Sequence, residues 1–149
     1  MSLSTTTITN SIAALSITGL TIKDIDEVPE SVTLRDCPVL YPEPDGFLRN
    51  VTVEPMAFGT AGSGPFDVDY DMAYTFLYKP VGVSRALLSV YPAMLAMALL
   101  IVDKIIVSDL VTGGVTLEFA GFEDFGLAND VSGNPFFGTR MLFHVKEFE

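Results

Sequence analysis

The chain has almost none of the side chains that usually build a metal centre or a nucleophilic active site. Its 149 residues include one cysteine, Cys37, one histidine, His144, and no tryptophan. A single cysteine excludes an internal disulfide and a cluster of cysteine ligands for zinc. Cys37 lies in an apolar run and is expected to be a buried, unreactive thiol. We therefore expect no enzyme activity, no metal and no cofactor, and we interpret His144 as a structural or solvated side chain.

Basic residues are the second shortage. Lys and Arg number 8 against 19 Asp and Glu, which gives a formal net charge of −11. The sequence contains no basic cluster that could contact phosphates, and the net charge repels nucleic acid. The composition therefore predicts no tight binding to DNA. An acidic surface most often serves to keep a protein soluble. The alternative interpretation is a surface or pore that must not retain DNA.

A long apolar segment, Ala86–Val107, is the most informative feature that is present. A helix in water that is hydrophobic on nearly all sides must be covered on more than one face. One face can pack on the protein's own sheet, and the other predicts contact with a neighbouring subunit. Ser89, Ala93 and Ala96 form a stripe of small residues that would allow a close approach, so they are the candidate subunit interface.

The same segment predicts where its helix begins and whether the helix spans a membrane. Proline costs nothing in a first helical turn but about 3 kcal/mol in the interior, so Pro92 favours a start near Tyr91. The apolar run from Ala86 to Val102 is shorter than the roughly 20 residues of a membrane span. Asp103 follows at once. We therefore predict an aqueous helix and no membrane span.

The segment Phe66–Lys79 shows the strictest alternation in the chain. Its apolar positions are Val68, Tyr70, Met72, Tyr74, Phe76 and Tyr78. A period of two residues predicts a β-strand, with this face packed beneath a helix.

The opposite face of that strand begins with three carboxylates, Asp67, Asp69 and Asp71. Calcium-binding loops with this spacing continue with a glycine and a later glutamate, whereas here Met72 and Ala73 follow. The run therefore favours a solvated acidic edge of the sheet. A metal or catalytic site is the alternative.

The remaining patterns predict short elements joined by loops. Ser4 is a candidate cap for a first helix that carries Ile8 and Ile12 on one stripe and ends at Gly19. The expected strands are Leu20–Ile22, Val32–Leu40, a segment from Val51, Val115–Ala120 and Phe136–Phe148. The expected loops are an acidic connector at Asp24–Glu30, then Tyr41–Phe47, Gly59–Pro65, Asp109–Gly114 and Gly121–Pro135. This order predicts an α+β fold, a single-layer antiparallel or mixed β-sheet with two main helices packed on one face.

Several segments together resemble the tail terminator proteins of siphophages, the bacteriophages with long non-contractile tails. The segments are Cys37-Pro38-Val39-Leu40-Tyr41-Pro42, Gly46-Phe47, Tyr74–Gly82, Tyr91-Pro92-Ala93 and, most characteristic, the terminal block Gly114–Phe148. The similarity spans nearly the whole chain as a pattern of segments in order, without a catalytic signature.

The resemblance implies that residues 1–149 form one small α+β subunit of a hexameric ring built from copies of itself. The ring caps the tail tube protein, stops tube growth and provides the surface that the head-completion or connector protein joins. It implies a structural virion protein at the head-proximal end of the tail, assembled in the host cytoplasm. In such a ring an acidic lining would repel DNA. Asp67, Asp69 and Asp71 are candidates for this lining, and so is the Asp24–Glu30 connector.

Three other functions stay open at the level of the sequence. Another neck or head–tail joining protein would share these features but would bind the connector without capping tubes. A small-ligand or metal-binding module could use the aromatic strand and the run from Asp67 to Asp71. A hydrolase could use His144.

Overall fold

A mixed sheet forms the centre of the fold, and its middle strand is the alternating segment of the sequence. The computed structural model describes residues 4–55, 66–81, 87–108, 110 and 115–148. The helices are α1 (Thr5–Ala13) and α2 (Leu87–Val107), with a short 3₁₀ helix at Leu34–Asp36. The strands are β1 (Thr21–Ile22), β2 (Val39–Pro42), β3 (Leu48–Pro55), β4 (Phe66–Pro80), β5 (Val115–Asn129) and β6 (Pro135–Phe148).

The sheet has the order β1-β2-β4-β6-β5, and β3 also pairs with β4. The β1–β2 pair is parallel, and the other pairs are antiparallel. Both helices contribute buried side chains to one core cluster on one face of the sheet. The predicted α+β class, with a mixed sheet and helices on one face, is confirmed.

The predicted apolar face of β4 is confirmed as the floor of that core. Its residues from Val68 to Phe76 at every second position are fully buried, and Tyr78 is half-buried. Across the sheet they meet Met141, Phe143 and Val145 of β6, which are also fully buried. We call this side the helix face and the opposite side the helix-free face.

The predicted start of α2 near Tyr91 is wrong, because the helix already begins at Leu87 and contains Pro92 in its interior. The inward side chains of α2 are Val90, Met94, Ala98, Ile101 and Ile105. Of these, only Val90 precedes the proline, so its burial is the gain that depends on the earlier start. Full burial of a valine contributes about 1.5–3 kcal/mol, which is similar in size to the roughly 3 kcal/mol that an interior proline costs. Packing of the first turn therefore offsets much of the local cost.

The first helix is shorter than expected. It ends at Ala13 rather than at Gly19, and the Ser4 side chain makes no capping hydrogen bond. Ile8 and Ile12 are fully buried in the core cluster, as their shared stripe predicts. Ser4 is therefore the N-cap residue, as predicted, but without a side-chain cap, and Ile8 and Ile12 bury one side of the helix against the sheet.

The predicted loop Gly121–Pro135 is wrong for most of its length, since β5 continues to Asn129 and only residues 130–134 connect it to β6. Gly121 and Gly126 have φ values of 138° and 133°, and Asp124 has a φ of 52°. The pairing of β5 with β6 shifts register at these two places. Glycine and aspartate here produce β-bulges within one long strand, whereas the sequence pattern resembles that of a turn.

The predicted strand Val32–Leu40 is also wrong in most of its length. A 3₁₀ turn occupies Leu34–Asp36, and the strand β2 runs only from Val39 to Pro42. The predicted loop Tyr41–Phe47 therefore starts two residues later than expected. The Gly59–Pro65 prediction lies outside the described residues, as does most of Asp109–Gly114.

The helix-free face has a smaller apolar cluster of its own. Its buried members are Val32, Val39, Tyr41, Leu77 and Phe136. The segment that precedes β2 covers part of this face. Asp130, which is 5% exposed, holds this segment in place through hydrogen bonds. The Asp130 carboxylate accepts hydrogen bonds from the Val32 N–H at 3.1 Å and the Asn134 N–H at 2.8 Å.

The Asp130 carboxylate keeps its charge in spite of its burial. Burial opposes the charged form, but the hydrogen bonds from Asn134, Val32 and Ser132 outweigh it and hold the pKa of Asp130 below its usual value. A lowered pKa means that the folded protein gains stability from the ionised carboxylate above the usual pKa of 3.8. That gain is lost as the pH falls through the lower folded value.

We expect Tyr74→Ala to lower the free energy of unfolding by about 3 kcal/mol or more, because Tyr74 is fully buried. Tyr74→Phe is the matched control, since the Tyr74 hydroxyl has no hydrogen-bond partner among the described residues. It should be neutral or stabilising. Urea denaturation measures both variants, and a loss below about 0.5 kcal/mol for Tyr74→Ala would contradict the buried position.

We expect Asp130→Asn to cost about 1–3 kcal/mol of unfolding free energy at pH 7, because a hydrogen-bonded charge is removed. The difference from the wild type should shrink as the pH falls below about 4. Asp26→Asn changes an exposed carboxylate of the connector and serves as the control. A cost that stays constant from pH 7 to pH 3 would show that the charge of Asp130 does not contribute.

Candidate functional site

The side of α2 that points away from the sheet is apolar and exposed. Its large side chains are Leu99, Leu100, Ile106 and Val107, which are 40–72% exposed. Tyr91 lies at its edge and is 37% exposed. We call this surface, together with the small residues Ser89, Ala93 and Ala96, the open face of α2. Asp103 and Lys104 are also exposed on this helix, between Leu100 and Ile106, so two charged side chains interrupt the apolar surface. Exposed apolar side chains grouped on one helix are nevertheless typical of an interaction site.

The predicted interface residues lie on the open face. Ser89, Ala93 and Ala96 are exposed in the single subunit, so they are available to a neighbouring molecule. The larger part of this surface was not predicted, because in a helix that is apolar on nearly all sides no local pattern shows which large side chains face the core. Leu99 is 52% exposed.

A row of aromatic rings anchors the first half of α2 to β5. The Tyr91 ring lies edge-on to Phe125 with a centroid distance of 5.4 Å. Phe125 contacts Phe122 at 5.1 Å, and Phe122 contacts Phe119 at 4.9 Å. Edge-to-face pairs of this kind are favourable beyond the area they bury. The rings therefore hold the open face at a defined angle to the sheet.

The length argument against a membrane span is wrong, because α2 continues past Asp103 to Val107. The portion Ser89–Val107 has a mean hydropathy of 2.0, and 28% of it is buried inside the protein. By length and composition this helix could cross a membrane. Its inward positions, among them Met94 and Ile101, pack in the sheet core. A spanning helix would have to leave that core.

The carboxylates of the β4 run are half-buried and differ in their surroundings. Asp71 accepts a hydrogen bond from Asn50 at 2.8 Å and contacts the His144 Nδ1 at 2.7 Å. One Asp69 oxygen is buried and has no partner within the described part of the chain. Alternate residues on a strand lie about 6.6 Å apart, which separates the three carboxylates. Among the described residues, no three His, Cys, Asp or Glu side chains could hold a metal ion.

The structure brings His144 and Asp71 together because they are directly opposite each other in the β4–β6 pairing. This pair was not predicted, because no local signal in the sequence joins residues that are so far apart in the chain. His144 is 30% exposed at its side chain. It is therefore a cross-strand partner at the surface of the helix-free face, in line with the structural interpretation.

A second polar cluster on the helix-free face was also missed. Arg140 of β6 contacts Glu43 at 3.2 Å and Glu123 at 3.6 Å. Arg49 of β3 contacts the same Glu123 at 3.0 Å. The Arg140 and Glu123 side chains are 39% and 38% exposed, so solvent screens these pairs and each contributes little to stability. The cluster joins strands and neutralises two of the few basic side chains.

The acidic connector is more open to solvent than the β4 run. Asp26, Glu27 and Glu30 are exposed, whereas Asp67, Asp69 and Asp71 are only half-exposed. Of the two candidate pore linings, the connector therefore presents the freer carboxylates.

The lone cysteine lies beside a shallow depression. Burial raises the pKa of the Cys37 thiol to about 11, and the Asp36 charge adds to the effect. The thiol therefore stays protonated near neutral pH, which makes it a poor nucleophile. Cys37 is half-buried rather than buried as predicted. The depression has a volume of about 660 Å³, is open to solvent and is lined by Thr33, Leu34, Arg35 and Asp36.

A comparison of the chain with protein-family models gives no match, and a comparison with curated proteins gives none either.

We expect added Ca²⁺ or Zn²⁺ to leave the thermal unfolding midpoint unchanged, because the carboxylates of Asp67, Asp69 and Asp71 do not converge on one point. Differential scanning fluorimetry with and without a chelator measures this. Asp71→Asn is the informative variant, since it changes the carboxylate that contacts His144. A saturable, stoichiometric upward shift that this variant abolishes would instead identify a metal-binding module.

Proposed function

We propose that this chain is a structural virion protein, a siphophage tail terminator whose subunits form a hexameric ring on the end of the tail tube. The proposal combines the resemblance of segments across the chain with the physical character of the subunit. In this role the ring joins copies of the chain, the tail tube protein and the head-completion protein. It would be assembled in the host cytoplasm and remain at the head-proximal end of the tail.

The open face of α2 is the observation that carries the proposal. The exposed apolar surface of this helix is removed from water only when another molecule covers it. The small side chains of Ala93 and Ala96 allow the backbone of a neighbour to approach closely. Tyr91 and Leu99 flank them with large side chains of the kind that supply most binding energy at interfaces.

The charge distribution supports a ring through which DNA passes. The net charge of −11 repels phosphates, and the two arginines of the helix-free cluster are paired with carboxylates. An acidic connector at the pore would keep the passing duplex from adhering to the protein. The same charge would give no measurable affinity for duplex DNA at physiological salt.

We expect Ala93→Glu and Ala96→Glu to fold normally but to fail to assemble, because both positions are exposed in the subunit and covered in the ring. Light scattering gives the mass of the assembly, and electron microscopy of tail tubes mixed with the protein shows whether the tube ends are capped. The wild type should form rings, alone or on tube ends. Circular dichroism checks that each variant keeps the wild-type fold.

Ala120→Glu is the matched control, since it places the same side chain at an exposed alanine of β5. This variant should assemble like the wild type. Normal assembly of both α2 variants would contradict the interface, and a wild type that never caps tubes would contradict the terminator role. Binding to the connector without capping would favour another neck protein.

Membrane association is the second candidate, and the hydropathy of α2 favours it. A membrane-bound helix would expose its open face to lipid instead of to a neighbouring subunit. Flotation of the full chain with phospholipid vesicles separates the two functions. A terminator stays in the aqueous fraction, whereas a membrane protein floats with the vesicles and loses this property in a Leu99→Asp variant.

A further inference from the structure

The first helix is attached to the sheet by few interactions. Its nine residues, Thr5–Ala13, are fewer than the roughly 12–15 that an isolated helix needs to be even marginally stable. Threonine and asparagine are poor helix formers, and the sequence contains both. No acidic side chain lies in the first turn and no basic side chain in the last. Its own sequence therefore contributes little to keeping it folded.

Within the described part of the chain, the polar attachment of α1 to the sheet goes through one carboxylate. Glu147 of β6 lies on the helix face and is 2% exposed. Its two oxygens accept hydrogen bonds from the Ser4 backbone N–H at 3.1 and 3.2 Å. The Tyr70 hydroxyl donates a third bond at 2.8 Å.

This attachment has two opposing energetic components. A carboxylate at a helix N-terminus is favoured by the unpaired N–H groups and by the helix dipole. Removing the same charge from water is costly, and none of the described hydrogen-bond donors around Glu147 is a cation. When α1 leaves the sheet the carboxylate regains water, which offsets part of the loss of the buried surface of Ile8 and Ile12.

We infer that α1 is a releasable strap, which detaches from the sheet while the strands stay folded and which the Glu147–Ser4 hydrogen bonds hold in place. Such a segment opens at a lower free energy than the whole protein. The subunit then has two arrangements of one helix. Any partner that contacts α1 or the surface beneath it shifts the equilibrium between them.

Hydrogen exchange of the full chain tests the strap, because it measures local opening segment by segment. In the wild type, amides of residues 8–13 should exchange faster than those of β4 and β6. Ser4→Pro removes the Ser4 N–H donor, and the φ of −79° at this position lies within the range of proline. It should speed exchange in α1 by about tenfold and leave β4 and β6 unchanged, as expected from the loss of a hydrogen bond to a charge.

Ser4→Ala is the matched control, since it keeps the backbone N–H and the Ser4 side chain makes no capping hydrogen bond. It should leave exchange in α1 unchanged. Glu147→Gln removes the charge instead of the donor and should speed exchange in α1 in the same way as Ser4→Pro.

Three results would overturn the strap. The first is a wild type in which the amides of α1 exchange no faster than those of the central strands. Another is an equal effect of Ser4→Pro and Ser4→Ala. The third is a Glu147→Gln variant in which α1 exchanges as in the wild type, or in which all segments accelerate equally.

Discussion

Burial of β4 on both faces and along both edges is the constraint on which the rest of the structure depends. On the helix face Tyr70 and Tyr74 form the floor of the main core, and on the other face Leu77 belongs to the smaller cluster. β2 and β3 pair with one edge of β4, and β6 pairs with the other. Both helices and the segment before β2 are therefore positioned relative to a single strand.

The fit around β4 is tight enough to require a specific residue in its neighbour. A Cβ atom on Gly138 of β6 would lie 2.1 Å from the carbonyl oxygen of Phe76. The pairing of the two strands shifts register at this level, between Leu77 and Lys79. Only glycine allows the backbones to approach so closely, so the irregularity of the sheet is built into the sequence.

Polar side chains are stabilised in different ways on the two faces of the sheet. On the helix-free face, Asp71 and Arg140 find partners across strands while remaining partly in water. On the helix face the buried Glu147 depends on neutral donors, and one of them belongs to the start of α1. Exposed apolar side chains lie on α2, among them Leu99 and Val107, and others lie on β3 and in the connecting segments. Among the described residues, the open face of α2 is the surface on which the proposed assembly depends.

Local periodicity in the sequence determined the elements whose side chains repeat regularly. The two-residue repeat of Phe66–Lys79 specified a strand and its core face, and the apolar run of Ala86–Val107 specified a helix. These patterns are local to one element. The spacing of residues within a helix or strand determines which side chains share a face, independently of the rest of the chain. The α+β class followed from the order of such elements.

Only the tertiary structure decided where elements end and which distant residues meet. Gly121 and Gly126 are of a residue type that is common in loops. In the structure they pair with β6 and belong to a strand with β-bulges. Pro92 lies inside α2, and the turn of helix before it buries Val90 in the core, which offsets much of the local cost. Asp71 meets His144 only through the register of two strands. Register and burial depend on contacts between residues far apart in the chain, so no local pattern specifies them.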